Sequence, residues 1–133
     1  MMEAEGQKIL ILMTSGPKTP HRCATPFFIG ALMASNDAEV EIFFNMDGTN
    51  LIRKGIPESI YPGGESCVAG QKPKSVYEFM KDAKAAGVKL YSCKQAIDSS
   101  GLKEDELIPL LDGVVPAGEF AQKSLEADKV LIF

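Results

Sequence analysis

Three cysteines, Cys23, Cys67 and Cys93, are the residues of this sequence best suited to chemistry. A cysteine thiolate attacks sulfur, carbon electrophiles and metal ions. The sequence has no CxxC pair and no paired Cys/His spacing, so it predicts no metal site. Each cysteine therefore has to be judged from its own surroundings in the chain.

Cys93 stands between an apolar segment, residues 88–92, and a helix that the sequence predicts from Lys94 onwards. The unpaired N–H groups and the dipole at the start of a helix favour a thiolate, and Lys94 adds a positive charge. Asp98, about one turn further on, acts weakly in the opposite direction. We therefore predict that Cys93 is the reactive residue, while a small buried thiol that only fills space is the competing interpretation.

The other two cysteines have weaker support. Cys23 follows His21, the only histidine, which could act as its general base; the simpler alternative is a packed Cys23 and a solvated His21. Cys67 lies in a segment rich in glycine and proline, residues 55–74, that is typical of a long binding loop or lid. It could serve as a resolving or relay thiol, or be an incidental loop residue.

The loop after the first apolar segment, Thr-Ser-Gly-Pro-Lys-Thr at residues 14–19, could hold a small anion. Ser15 and Gly16 would present backbone N–H groups to such a ligand. The loop matches neither of the common glycine-rich phosphate motifs, so an ordinary connecting loop remains the alternative. The Asp47-Gly48 pair could bind a cation, but this dipeptide is more typical of a turn.

The elements that position these residues alternate regularly between strand and helix. Such alternation predicts an α/β fold with a mainly parallel five-stranded sheet and right-handed crossovers. Ligands bind beyond the carboxyl ends of the strands in such sheets, where Cys93 and the 14–19 loop are expected. The predicted strands are residues 8–13, 39–44, 88–92, 113–116 and 129–133. The predicted helices are residues 21–35, 75–86, 94–99 and 117–125. A shorter helical piece is predicted at residues 104–111.

In the order and spacing of four segments, the sequence resembles the DsrE/DsrF-like family of small sulfur-relay proteins, which includes the TusD-type subunits. These segments are residues 9–17, 40–48, 87–102 and 127–133. The resemblance implies a flavodoxin-like, three-layer α/β/α fold in a single domain over residues 1–133. It also implies ring-like trimers or hexamers. The family's sulfur-carrying cysteine, which follows the third strand and holds sulfur as a persulfide, corresponds to Cys93.

Composition limits the classes of partner. The net charge is −4, the 14 basic residues are scattered and tryptophan is absent, so no nucleic-acid partner is expected. No apolar run reaches the roughly 18 residues of a membrane span. Residues 1–7 are acidic and polar, unlike a signal peptide, and we expect the protein in the cytoplasm with reduced thiols.

Three functions remain open at this point. The leading hypothesis is a sulfurtransferase-like carrier that takes sulfane sulfur from a donor protein onto Cys93 and passes it to an acceptor thiol, assisted by Lys94 and without a metal or organic cofactor. The second is a binding module for a small anion or nucleotide, with Cys93 structural. The third is a thiol redox protein that pairs Cys93 with Cys23 or Cys67, which requires Cα atoms within about 7 Å.

Overall fold

A computed structural model describes residues 3–64 and 72–133. In these ranges five strands form one sheet in the order β4-β3-β2-β1-β5, and every neighbouring pair is parallel. The α/β fold with its five-stranded sheet is thus confirmed. The strands are β1 (Lys8–Met13), β2 (Glu39–Phe44), β3 (Lys89–Cys93), β4 (Gly113–Val115) and β5 (Lys129–Ile132).

Four α-helices lie in the described ranges: α1 (Thr25–Ser35), α2 (Val76–Ala86), α3 (Lys94–Ser100) and α4 (Ala117–Glu126). None of the helices there is both long enough and apolar enough to cross a membrane. The ends of α2 follow from two residues outside it. The Ser75 hydroxyl accepts a hydrogen bond from the Glu78 N–H, and Gly87 adopts the left-handed conformation that ends the helix.

Two helix predictions need correction. The helix predicted at 21–35 begins only at Thr25, because Pro26 has no N–H to donate and is tolerated only in a first turn. The helical piece predicted at 104–111 is reduced to one 3-10 turn, Glu104–Glu106. The chain then runs extended at Leu107, which pairs with Arg53, and Pro109 again removes a donor that a helix would need.

Helices cover both faces of the sheet. One face carries the main core, where α1 packs with α2 and Phe27 stacks on Phe44 with ring centroids 6.0 Å apart. On the opposite face, Phe120 of α4 stacks on Phe43 with centroids 4.5 Å apart. Lys123 of α4 is held there by an ion pair of 2.7 Å with Glu41. The three-layer arrangement follows from these contacts.

Candidate functional site

Cys93 occupies the carboxyl end of β3 and the residue immediately before α3. It pairs in register with Val115 of β4, and Val115 is followed by Pro116 and the start of α4. Because side chains alternate along a strand, the thiol projects to the α4 face, as the Tyr91 ring does. The thiol therefore lies between the beginnings of two helices, and it is only 3% exposed.

A glutamine contacts this thiol. The Sγ atom of Cys93 lies 3.5 Å from Oε1 of Gln95, within hydrogen-bond distance for a thiol donor. The same oxygen accepts a hydrogen bond of 3.1 Å from the backbone N–H of Ala117, the first residue of α4. Gln95 itself is exposed. One side-chain oxygen thus joins the thiol, the first turn of α3 and the first residue of α4.

Lys94, the predicted auxiliary cation, makes its own ion pair. Its Nζ atom lies 3.0 Å from Oδ2 of Asp98, one turn along α3, and both side chains are more than half exposed. Lys94 also borders a groove of about 680 Å³ between α3 and the segment that leads to β4. Cys93 does not line this groove. The lysine charge is therefore shared with Asp98 rather than reserved for the thiol.

Ser92, next to Cys93, projects to the other face of the sheet and is fully buried. Among the described residues, its hydroxyl and that of Thr49 are buried without a hydrogen-bond partner. The local sequence patterns do not single out Ser92 or Gln95. Ser92 could have been noticed from the sequence, because it is a polar residue at an inward position of an apolar strand. The sequence held no comparable signal for Gln95, whose contact with Ala117 spans 22 residues.

Cys23 is completely buried, just before α1. Its Sγ atom is a donor towards the carbonyl oxygens of Gly16, at 3.4 Å, and Thr19, at 3.5 Å. Burial, assisted by the nearby Asp47 carboxylate, raises the pKa of the Cys23 thiol to about 11. His21 is exposed in the preceding 3-10 turn. This environment favours the protonated thiol and so disfavours nucleophilic chemistry at neutral pH.

The structure separates Cys23 from Cys93. Both are free thiols. Cys23 belongs to the core on the α1 face of the sheet, whereas Cys93 projects to the α4 face. The strands that precede them, β1 and β3, have β2 between them, which puts the strands about 9.6 Å apart. Cys67, the third candidate thiol, lies outside the described residues.

Most of the backbone donors in the loop at residues 14–19 are bonded within the protein. The Phe133 carbonyl oxygen accepts hydrogen bonds from the N–H groups of Thr14, at 2.6 Å, and Ser15, at 3.2 Å, and from the Thr14 hydroxyl, at 2.7 Å. The Lys18 N–H donates to the Asp47 carboxylate at 3.2 Å. These donors would have to leave their partners before binding an anion.

Gly16 completes this loop by close approach to the Met46–Ile52 turn. A Cβ atom on residue 16 would overlap the backbone carbonyl of Asp47, and one on Gly48 would overlap that of Met13. Asp47-Gly48 therefore forms a tight turn, with the Asp47 carboxylate bonded to Lys18 and Asn50. Within the described ranges, no group of three His, Cys, Asp or Glu residues is arranged to hold a metal ion.

Comparison with solved structures supports the same fold. The E. coli protein ychN has a TM-score of 0.71 and 22% identity, with 96% of this chain and 99% of that one covered. A protein of unknown function from Methanobacterium thermoautotrophicum, MTH1491, has a TM-score of 0.62 and 15% identity, covering 97% and 100% of the two chains. BT1422 from Bacteroides thetaiotaomicron, also of unknown function, gives 0.61 and 16%, covering 96% and 95%.

At these identities the similarity demonstrates the fold alone. No curated protein matches the sequence. The sequence model of the DsrE/DsrF-like family, however, matches residues 7–133, which include every described strand and helix. The chain belongs to the DsrE/DsrF-like family.

Proposed function

We propose that the protein is a sulfur carrier that accepts sulfane sulfur as a persulfide on Cys93 and passes it to an acceptor thiol. One observation carries the proposal: the Cys93 thiol lies at the carboxyl edge of a parallel sheet, between the starts of α3 and α4. That edge is where α/β sheets place their ligands. Membership of the DsrE/DsrF-like family suggests a function of the sulfur-relay type.

The proposed transfer needs no outside oxidant. The Cys93 thiolate attacks the terminal sulfur of a donor persulfide, R–S–SH, and a new S–S bond forms at Sγ. The donor's own S–S bond breaks, and its inner sulfur leaves as a thiolate with the bonding electrons. An acceptor thiolate then attacks the terminal sulfur on Cys93 in the same way, so that Cys93 returns as a thiolate.

Backbone N–H groups at the start of α3 are available to an anionic sulfur on Cys93 once a donor persulfide has reacted. The first turn of a helix has N–H groups without a carbonyl partner inside the helix. Cys93 directly precedes α3, and the first N–H of α4 donates to the Gln95 oxygen that Sγ contacts, so that N–H can serve the sulfur only after leaving this oxygen. Hydrogen bonds from such groups to an anion are about twice as strong as those between neutral groups.

A sulfane-sulfur donor and intact-mass measurement test the proposal. We expect the wild-type protein to gain the mass of one sulfur atom, and a thiol acceptor added afterwards to remove it. Cys93→Ser should abolish the gain, while Cys23→Ser, a change at a buried thiol with a raised pKa, should preserve it. An adduct that survives Cys93→Ser, or none in the wild type, would contradict the proposal.

Fewer observations support the other two functions. An anion-binding module would use the 14–19 loop, whose donors at Thr14, Ser15 and Lys18 already bind Phe133 and Asp47. A redox pair of Cys93 with Cys23 would join thiols that project to opposite faces of the sheet. The carrier needs a single reduced thiol, and we therefore place it in the cytoplasm, where thiols stay reduced.

We also propose that the protein assembles as a homo-oligomer, a trimer or hexamer, as proteins of this family commonly do. The outer surface of α1 supports an interface. This helix, TPFFIGALMAS, contains no charged residue, yet its Phe28 and Leu32 side chains are 57% and 44% exposed. A helix that is apolar on all sides is normally buried. A second copy of the chain would bury this side of α1.

A further inference from the structure

We propose that Gln95 is a positioning residue for Cys93, whose side-chain amide shields the protonated thiol and turns to expose and stabilise the anionic sulfur. The inference rests on the proposed function for its role in sulfur transfer. It is drawn from three atoms: the thiol sulfur, the Gln95 oxygen that it contacts, and the Ala117 nitrogen bonded to the same oxygen.

The orientation of the Gln95 amide is fixed by its neighbour. A backbone N–H can only donate, so the Gln95 atom 3.1 Å from the Ala117 nitrogen must be the oxygen. That oxygen is an acceptor, and it also lies 3.5 Å from Sγ of Cys93. Only a protonated thiol can donate to it. The observed arrangement therefore suits the resting thiol and opposes the thiolate, whose charge would face oxygen lone pairs.

When the thiol loses its proton, the sulfur changes from a hydrogen-bond donor to an acceptor. A thiolate or persulfide anion is an acceptor and is stabilised by N–H donors. The Gln95 side chain carries both kinds of group, an acceptor oxygen and a donor NH₂. Rotation of the amide brings the NH₂ group to the sulfur and releases the Ala117 N–H. One side chain can thus match both protonation states of Cys93.

The structure allows this rotation without rearrangement of the core. Gln95 is exposed, whereas the thiol beneath it is 3% exposed. Exposed side chains change rotamer within nanoseconds, far faster than helices move. A sulfur donor would therefore meet Gln95 first and reach Sγ beside the turned amide, whose NH₂ group then faces the sulfur. The surrounding strand and helix starts stay in place.

Two substitutions separate the two roles of the amide. Gln95→Glu keeps an acceptor over the thiol and removes the donor, and we expect Cys93 to react with iodoacetamide about fivefold more slowly. Gln95→Ala removes the acceptor and the donor together with the shield, and because the shield limits access to the resting thiol we expect a rate about fivefold higher. Peptide mass mapping assigns the modification to Cys93, and for Gln95→Glu, which keeps an acceptor and loses the donor, the pH–rate profile should move to higher pH.

Two control variants exclude general effects. Ser99→Glu places the same charge on the exposed end of α3 and should leave the rate within twofold of the wild type. Gln122→Ala removes an exposed glutamine of α4 and should do the same. Thermal unfolding checks that each variant is folded.

The alkylation assay contains no sulfur donor, so it decides the role of Gln95 separately from the proposed function. Rates for both Gln95 variants within twofold of the wild type, or shifted in the same direction, would overturn the inference. A wild-type protein that forms no sulfur adduct would instead overturn the carrier function. Opposite rate shifts in the two Gln95 variants, together with a normal sulfur adduct on the wild-type protein, would support both the role of Gln95 and the carrier function.

Discussion

Gly16 and Asp47 touch backbone to backbone: the space that a Cβ atom on residue 16 would need is filled by the Asp47 carbonyl. The contact joins the loop after β1 to the turn after β2, at the sheet edge where Cys93 also lies. The Asp47 carboxylate strengthens it through the Lys18 N–H. Residue 16 must be glycine because of this close backbone contact, and not because of its backbone angles.

Gly16→Ala should therefore destabilise the protein by about 2 kcal/mol or more, since the added methyl group forces two backbone segments apart. Chemical denaturation measures the change. Gly118→Ala is the matched control, because Gly118 lies in α4 with no atom within 4 Å of its would-be Cβ atom. That substitution should stabilise the protein by about 0.5 kcal/mol. Equal effects of the two changes would disprove the close-contact explanation.

Asp112 should make the protein sensitive to acid. Burial acts to raise the pKa of its carboxyl, but hydrogen bonds from Lys84 and the Leu90 N–H outweigh burial and hold that pKa below its ordinary value. A depressed pKa in the folded state adds stability at neutral pH. This stability begins to decline near the ordinary value of 3.8 and is lost as the pH falls through the lower, folded-state value.

We expect Asp112→Asn to lower the free energy of unfolding by roughly 1–3 kcal/mol at pH 7. The difference from the wild type should shrink as the pH is lowered below 3.8. Denaturant titrations at a series of pH values measure both effects. Asp98→Asn, at an exposed i,i+4 pair with Lys94, is the control and should cost less than about 0.5 kcal/mol. A difference that stays constant with pH would argue against the linkage.

Cys23 should resist alkylation in the native protein. With a pKa of about 11 against an ordinary 9.0, its thiolate is about a hundredfold scarcer at pH 8 than that of a free cysteine, and its sulfur is buried besides. Timed iodoacetamide labelling with peptide mapping should show Cys93 modified before Cys23. Cys23 should follow only when the protein unfolds in denaturant. Labelling of Cys23 as fast as Cys93 would contradict this assignment.

The proposed α1 interface predicts a change of mass in solution. Phe28→Asp and Leu32→Asp would each place a charge in a desolvated contact, and together they should convert the oligomer to monomers. Light scattering on a sizing column measures the mass. Leu125→Asp is the control: Leu125 is 83% exposed on α4, a helix with charged residues, and its substitution should leave the assembly intact. Dissociation by the control alone would place the interface on α4.

The sequence predicted the sheet more closely than the site. β1 and β2 have the predicted bounds, because β1 is a continuous apolar run after Lys8, β2 alternates before its apolar end, and a polar residue follows each strand. Ser75 and Gly87 likewise mark the ends of α2 through local hydrogen bonds and backbone conformation. These features depend only on neighbours in the chain.

The contacts of the site depend on pairing between distant segments. Gln95 reaches Ala117 only because β3 and β4 lie side by side and bring the starts of α3 and α4 together. The raised pKa of Cys23 depends on burial and, to a smaller extent, on Asp47, which the spacing of Cys23 and His21 does not reveal. Local patterns identified Cys93 as the candidate nucleophile, but they did not reveal the residue that contacts its sulfur.

The pairing of β5 with β1 also bears on how the chain folds during synthesis. The ladder joins Ile9 to Lys129 and Leu12 to Ile132, so β1 lacks one of its two neighbours until β5 leaves the ribosome. At typical rates of translation, the ribosome needs roughly 6–24 s to synthesise the 120 residues that separate Lys8, at the start of β1, from Asp128, just before β5. Meanwhile an apolar strand edge stays open to wrong pairing. We expect nascent chains that stop before β5 to depend on chaperones.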